Sequence, residues 1–158
     1  MQKKFKLGKK EANGLRRVIA LRDFGVVSKG DVGGFIGKED NLSHEDDAWV
    51  YGNARVYGNA RVFGNAQVSG NAWVSGDAWV LGDARVLGDA WVYGNARVFG
   101  NAQVSGDARV SGDARVYGDA RVFGRFDISG SARIDFEIPR VELTTKKAKK
   151  LAEFLKKL

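Results

Sequence analysis

The chain has 158 residues, with 26 Lys and Arg against 19 Asp and Glu, one His, one Pro and no Cys. That length suits about one domain, and without Cys neither a disulfide nor a thiolate metal site can hold it together, which is compatible with a reducing compartment. No apolar run approaches the ~18 residues of a membrane span. No apolar core or small-residue cleavage site comes after the first lysines, so a cytoplasmic protein with no secretory leader and no membrane partner is expected.

The formal charge of +7 is unevenly placed: residues 1–44 carry +5, residues 45–135 carry −2 and residues 136–158 carry +4. The basic residues sit at the two ends, which weakens any reading of the middle as one long nucleic-acid surface. These divisions also mark three expected parts.

Residues 1–44 do not repeat. Lys4-Phe5-Lys6-Leu7 alternates like a short strand, and Leu15-Arg16-Arg17-Val18-Ile19-Ala20-Leu21 reads as a second strand after a polar turn. Gly25-Val26-Val27 and Val32-Gly33-Gly34-Phe35-Ile36 are further extended pieces on either side of the turn at Ser28-Lys29-Gly30-Asp31. Together they predict a small β cap over the open edge of a repetitive middle segment.

From Asp46 to Asp135 one six-residue phrase, Gly-Asn/Asp-Ala-x-Val-x, runs without a break, with Gly at every sixth position from Gly52 to Gly130, fourteen times. The large apolar slot is filled fifteen times if Ile128 and Ile134 are counted. Residues two apart on a strand face the same way, so Ala and Val point inward and their neighbours outward. Gly followed by Asn or Asp makes the corner, because these residues accept positive φ at least cost. Three such sides close a coil of 18 residues, and residues 45–135 then form about five coils. Val56 to Gly70 and Val92 to Gly106 are identical at an offset of 36, which fits two coils of 18 or three of 12. A coil of 18 alternates Asn59, Asp77, Asn95 and Asp113 on one corner, and Asn65, Asp83, Asn101 and Asp119 on the next, keeping like charges apart. The third corner, Asn53, Asn71, Asp89 and Asp107, does not alternate.

The repeat resembles the hexapeptide-repeat family and, more narrowly, the Gly-Asn/Asp-Ala-x-Val proteins of bacteria and their phages, often labelled as transferases. Leu21-Arg22-Asp23-Phe24, Lys29 to Ile36 and Asn41-Leu42-Ser43 resemble the segment before the repeat in that group. The resemblance implies a single-stranded, three-sided, left-handed parallel β-helix over residues 18–135. It also implies a role in phage–host interplay, such as inhibition of a host defence protein. The near-identical copies equally suit a consensus or designed array.

After Gly124 the phrase decays, Arg125 replacing Asn/Asp and Phe126 replacing Ala, with Phe126 placed to plug the end of the core. Pro139 then breaks the strand pattern. Thr144 or Thr145 can cap a helix running to Leu158. Its Ala148, Leu151, Ala152, Leu155 and Leu158 share one face, which predicts an amphipathic capping helix across the last coil.

Enzymes of the hexapeptide family transfer acyl groups with a histidine base and long loops. Here no loop interrupts the coils, and His44 is the only histidine, with a register that places it in a Val slot. A polar capping role is expected for it, and no catalysis, cofactor or metal. A zinc hydratase of the related type would need three histidines, and an ice-binding face would need ranks of Thr that the repeat lacks. Corner Asp and Asn rows read as bends before they read as cation ligands.

The outward columns carry the functional expectation. On one side Phe63, Leu81, Phe99 and Tyr117 stack beside Arg61, Trp79, Arg97, Arg115 and Arg133. The next side stacks Arg55, Trp73, Trp91 and Arg109 beside Tyr57, Ser75, Tyr93 and Ser111. The third places Trp49, Gln67, Arg85, Gln103 and Arg121 outward beside Tyr51, Ser69, Leu87, Ser105 and Phe123. Bulky rings outside a solenoid either support one another as ladders or meet a partner, since interfaces are rich in aromatics and Arg. The first choice is a self-association or partner-protein face made of Phe63, Leu81, Phe99, Tyr117, Trp79, Arg97 and Arg115. A second candidate face is Trp73, Trp91, Tyr57 and Tyr93. Single-stranded nucleic acid on the Trp/Arg face and the basic ends is an alternative, and an acyltransferase using His44 is a second one.

Overall fold

The computed structural model describes residues 2–138, 150 and 153–157. Its architecture grows out of the phrase: each hexapeptide contributes one short strand of two or three residues and one corner, and the strands stack in parallel into three sheets. The first sheet begins with strands β1 (Phe5–Lys10) and β2 (Arg16–Ala20), paired antiparallel, then β3 (Val32–Ile36) antiparallel to β2. β3 pairs in parallel with Arg55–Val56, and the sheet continues through Trp73–Val74, Trp91–Val92, Arg109–Val110 and Asp127–Ile128. The second sheet stacks Arg61–Val62, Trp79–Val80, Arg97–Val98, Arg115–Val116 and Arg133–Ile134. The third runs from Trp49–Val50 through Gln67–Val68, Arg85–Val86, Gln103–Ser105 and Arg121–Phe123 to Glu137–Ile138.

Within the repeat, partners lie 18 residues apart: Trp73 faces Trp91 and Val74 faces Val92. The turn of the tube is therefore three phrases long. It holds about six stacked coils rather than the five expected, because β3 already forms a rung of the first sheet and Glu137–Ile138 adds one to the third.

The interior is Ala and Val throughout. Every Ala from Ala48 to Ala120, and every Val from Val50 to Val122, is at most 1% exposed. Burying one Val side chain contributes about 2 kcal/mol, and the tube repeats that contribution at every corner-to-corner step. Gly52 to Gly130 all adopt positive φ, between +59° and +89°. At Gly94 a Cβ would also stand 2.9 Å from the backbone nitrogen of Gly112 in the next coil, so the stacking as well as the bend demands glycine.

The first coil departs from the period. Ile36 pairs with Val56 and Leu42 with Val62, spacings of 20 residues, whereas Val50 and Val68 are 18 apart. The two extra residues lie between Leu42 and Val50. Leu42 fills the slot expected for His44, and His44 leaves the tube to stack on Phe5, ring centroids 4.1 Å apart. The segment Gly25-Val26-Val27 is a tight turn, closed by a bridge between Phe24 and Val27, rather than a strand.

Trp49 is a second departure. Its register places it on the outer side of the third sheet, yet it is only 1% exposed. The N-terminal hairpin folds over it, setting Phe24 edge-on at 5.2 Å and Phe5 at 6.3 Å. The chain before the repeat thus covers the side of the first coil as well as its end.

At the far end Phe126 packs against the core, as its plugging role requires. Lys150 and Glu153–Leu155 are helical, and Leu155 is 3% exposed and joins the core cluster. Pro139, Thr144, Thr145, Ala148, Leu151, Ala152 and Leu158 lie outside the described residues.

Candidate functional site

Each corner first has to satisfy its own polar groups. Asn side chains donate to the carboxylate one coil on: Asn59 to Asp77, Asn65 to Asp83, Asn71 to Asp89, Asn95 to Asp113 and Asn101 to Asp119, at 3.0–3.1 Å. Arg125, where the phrase decays, donates through Nε to Asp107 at 3.2 Å. The decay is therefore a completion: on the corner that fails to alternate, Arg125 supplies the donor that an Asn supplies elsewhere. These exposed bonds contribute little stability individually, but they tie up corner oxygens that a cation would otherwise use. Among the described residues no group of three or more Asp, Glu or His converges as metal ligands.

The second sheet presents the first-choice face. Phe63, Leu81, Phe99 and Tyr117 are all half-buried and form one column, with Phe99 and Tyr117 stacked at 5.2 Å. Trp79, also half-buried, meets the Phe63 ring edge-on at 5.7 Å and carries the Arg97 guanidinium over its face at 4.9 Å. Arg97 and Arg115 are exposed beside the column. No small residue interrupts it, so it is a continuous ridge.

The first sheet presents the second face, and it is built differently. Trp73 and Trp91 stack at 5.0 Å with ring planes 4° apart. Arg55 closes one end of the stack, 5.1 Å from the Trp73 centroid, and Arg109 closes the other, 5.1 Å from that of Trp91. Four side chains from four successive coils thus form one cation–ring–ring–cation pile, each contact contributing about 0.5–1.5 kcal/mol. Tyr57 meets Trp73 edge-on at 6.3 Å. Trp91 and Tyr93 remain 38% and 37% exposed, the most open rings of the repeat body.

His44 sits where the cap meets the second sheet. Its Nδ1 accepts the Lys4 backbone N–H at 3.1 Å, which places the ring proton on Nε2, and Nε2 donates to Glu39 Oε1 at 2.7 Å. Lys3 donates to the same oxygen at 2.7 Å. These hydrogen bonds, from Lys3 and then His44, hold the Glu39 carboxyl below its ordinary pKa. Both nitrogens of the one histidine are engaged, Nδ1 with the chain just before β1 and Nε2 with Glu39, which Lys3 also reaches. A cleft of about 470 Å³ beside it reaches Arg61, Phe63 and Trp79.

The residue that sequence reasoning missed is Lys4. It alternates with Phe5 just before β1 and reads as solvent-facing, yet it is 0% exposed. Its Nζ donates to the carbonyls of Glu45 (3.1 Å), Asp46 (3.2 Å) and Ala48 (2.8 Å) and lies 4.9 Å from the Phe24 ring centroid. Burial lowers its pKa to about 8, Arg22 adds to the lowering, and Asp47 and Asp46 oppose it. Asp46 is the one non-glycine residue with positive φ among the described residues, at +50°. The signal was present as an absence: the period demands Gly at position 46 and the chain has Asp.

Six stretches match the family described as YdcK Beta solenoid repeat, at residues 48–64, 54–67, 66–82, 90–104, 102–116 and 114–130. No curated protein matches the chain. The repeat is similar to that family's, and together with the parallel stacking it makes this chain a β-solenoid repeat protein.

Proposed function

We propose that this β-solenoid is a rigid, non-catalytic binding and assembly module, and that the ridge Phe63–Leu81–Phe99–Tyr117 with Trp79, Arg97 and Arg115 is its contact face. The observation that carries this reading is the ridge itself: four large side chains held in register on consecutive rungs that are hydrogen-bonded to one another. Three rung spacings give it a length of about 14 Å. An apolar strip with guanidinium groups at its margin has the composition of an interface core and rim.

A second copy of the chain fits the strip. The corners on either side of this sheet carry Asp77 and Asp113 on one and Asp83 and Asp119 on the other, all exposed. A two-fold partner laid antiparallel would set its Arg column against these rows, as an isologous contact requires. A partner protein with a matching apolar strip and acidic margin would use the same face. The kinship to phage and bacterial repeat proteins suggested by the sequence makes a host defence protein one such partner.

Two observations support binding over turnover. The coils carry no inserted loop to enclose a substrate, and His44 is committed at both nitrogens. The filled faces of the Trp73–Trp91 pile count against base stacking by single-stranded nucleic acid there.

Sedimentation equilibrium tests the reading. The expected mass exceeds the 17.2 kDa monomer, and Phe99→Glu returns it to that value. A wild-type chain that stays monomeric and captures no partner through this face, with or without the substitution, would sink it.

A further inference from the structure

The column beside the tryptophan pile alternates large and small: Tyr57, Ser75, Tyr93, Ser111. On the second sheet the equivalent column is filled at every rung; here a serine stands between two tyrosines. Tyr57 and Tyr93 are two rungs apart, about 9.6 Å. That spacing leaves a notch with Ser75 as its floor and the indole edges of Trp73 and Trp91 as one wall. The notch has a volume of about 300 Å³ and is lined by those five side chains, at the small end of the range for ligand sites. Ser111, the next serine along, is buried at 7% exposure, whereas Ser75 opens into the notch.

We infer that this notch binds a neutral saccharide ring. The chemistry of the lining narrows the ligand. The broad faces of both indoles are occupied, by each other and by Arg55 and Arg109, so the indoles offer edges rather than platforms. The tyrosines supply ring surface and two hydroxyls, and Ser75 supplies a third. One ring can lie against a tyrosine at van der Waals separation, ~3.5–4.0 Å, while its rim meets donors and acceptors. A pyranose has that character, with C–H groups on its face and hydroxyls around its rim.

Charged groups flank the notch without lining it. Arg55 and Arg109 lie at the two ends of the pile, and Asp77, two residues after Ser75, already accepts from Asn59. Neither a phosphate nor an ammonium group finds a counter-ion among the five side chains that line the notch. The ligand is therefore an uncharged polyol rather than a nucleotide or an acidic sugar. Because the site lies on the first sheet, it does not depend on the ridge of the second.

The test is tryptophan emission and titration calorimetry on the full chain, with maltotriose, cellotriose and chitotriose as probes. Hexathymidylate and a proline-rich peptide serve as competitors of other chemistry. At least one trisaccharide should perturb the emission saturably, with a Kd of about 0.1–10 mM, insensitive to added salt. Ser75→Tyr should weaken binding at least about tenfold by filling the notch with the residue already tolerated at positions 57 and 93. Tyr93→Ala should weaken it likewise, and Gln103→Ala on the third sheet should leave it unchanged. Thermal melts establish that each variant is folded. No response to any trisaccharide up to about 20 mM, a response to the oligonucleotide or peptide alone, or binding unaltered in a folded Ser75→Tyr variant would each overturn the inference.

Discussion

The corner at Gly94-Asn95 and the corner at Asp46-Asp47 turn the chain through the same bend with different chemistry. In the repeat, glycine takes the positive φ, and the carbonyls of Gly and Ala accept from the preceding coil, as Gly94 does from Asp77 at 2.8 Å and Ala96 from Trp79 at 2.9 Å. The first corner has no coil in front of it to make those donations. The carbonyls of Asp46 and Ala48 stand in the same two roles, and the single ammonium of Lys4 serves both, with Glu45 as a third. The comparison shows what a solenoid end requires. Covering apolar surface is half of it, and the other half is replacing the N–H groups of a coil that does not exist.

The largest expected effect is loss of that replacement. Lys4→Met keeps the apolar stem and removes the donor, leaving three carbonyls with no partner, one of them fully buried. At ~1–3 kcal/mol for each unsatisfied buried group, the variant should lose about 3 kcal/mol, read from chemical denaturation followed through tryptophan emission. An unchanged midpoint would mean that water serves those carbonyls as well as Lys4 does.

A smaller loss is expected where glycine makes the bend. Gly94→Ala places a Cβ against the Gly112 backbone and forces an L side chain to φ +67°, for about 2 kcal/mol in total. The reverse change at the first corner should stabilise. Asp46→Gly removes the only non-glycine residue held there among the described residues, a gain of about 1 kcal/mol, while the Lys4 bonds to the backbone remain. If Asp46→Gly destabilises instead, the Asp46 carboxylate itself, which opposes the lowering of the Lys4 pKa, is the more important part of that corner.

The smallest effect is on acidity. Glu39 has its folded pKa below the ordinary 4.5 because Lys3 and His44 hydrogen-bond to it. A depressed carboxyl contributes stability that is complete above the unfolded pKa and is lost as pH falls through the folded one. The hairpin should therefore loosen from pH 5 downward. Amide exchange at Lys4, whose N–H is bonded to His44, reports it. Glu39→Gln should remove this pH dependence; a pH profile identical to that of the wild type would show that the pair is only a surface contact.

Legibility divides in the same way between body and end. Ala and Val inside and Gly at the bend come directly from spacing, because each is a local consequence of strand alternation and of φ. The offset of 36 allows two or three phrases to a turn, and only the pairing of Trp73 with Trp91 decides for three. On the corners, spacing shows only avoided repulsion. The amide of Asn95 donating to Asp113 is a bond between coils, and Arg125, which breaks the phrase, belongs to the same series. Spacing counts His44 into a Val slot because it extends the period backwards through two inserted residues. It counts Trp49 outward correctly, but nothing in that residue's own phrase says that a hairpin lies over it. The two columns of the candidate faces can be drawn from the period. That one is a ridge, and the other a closed pile beside a notch, depends on how rings settle against their neighbours.

Sequence alone determined the inside and the corner: a six-residue period with one small and one branched residue turns both to the same side, and glycine marks each bend, while the number of sides to a coil was settled by the stacking. Tertiary structure decided the ends and the surface. The burial of Lys4, the covering of Trp49 and the Arg55–Trp73–Trp91–Arg109 pile all join residues at least 18 positions apart, and such contacts exist only once coils are stacked. A local pattern can state which way a side chain leaves the backbone. What it meets there is set by the next coil, or by the hairpin that stands where a coil is missing.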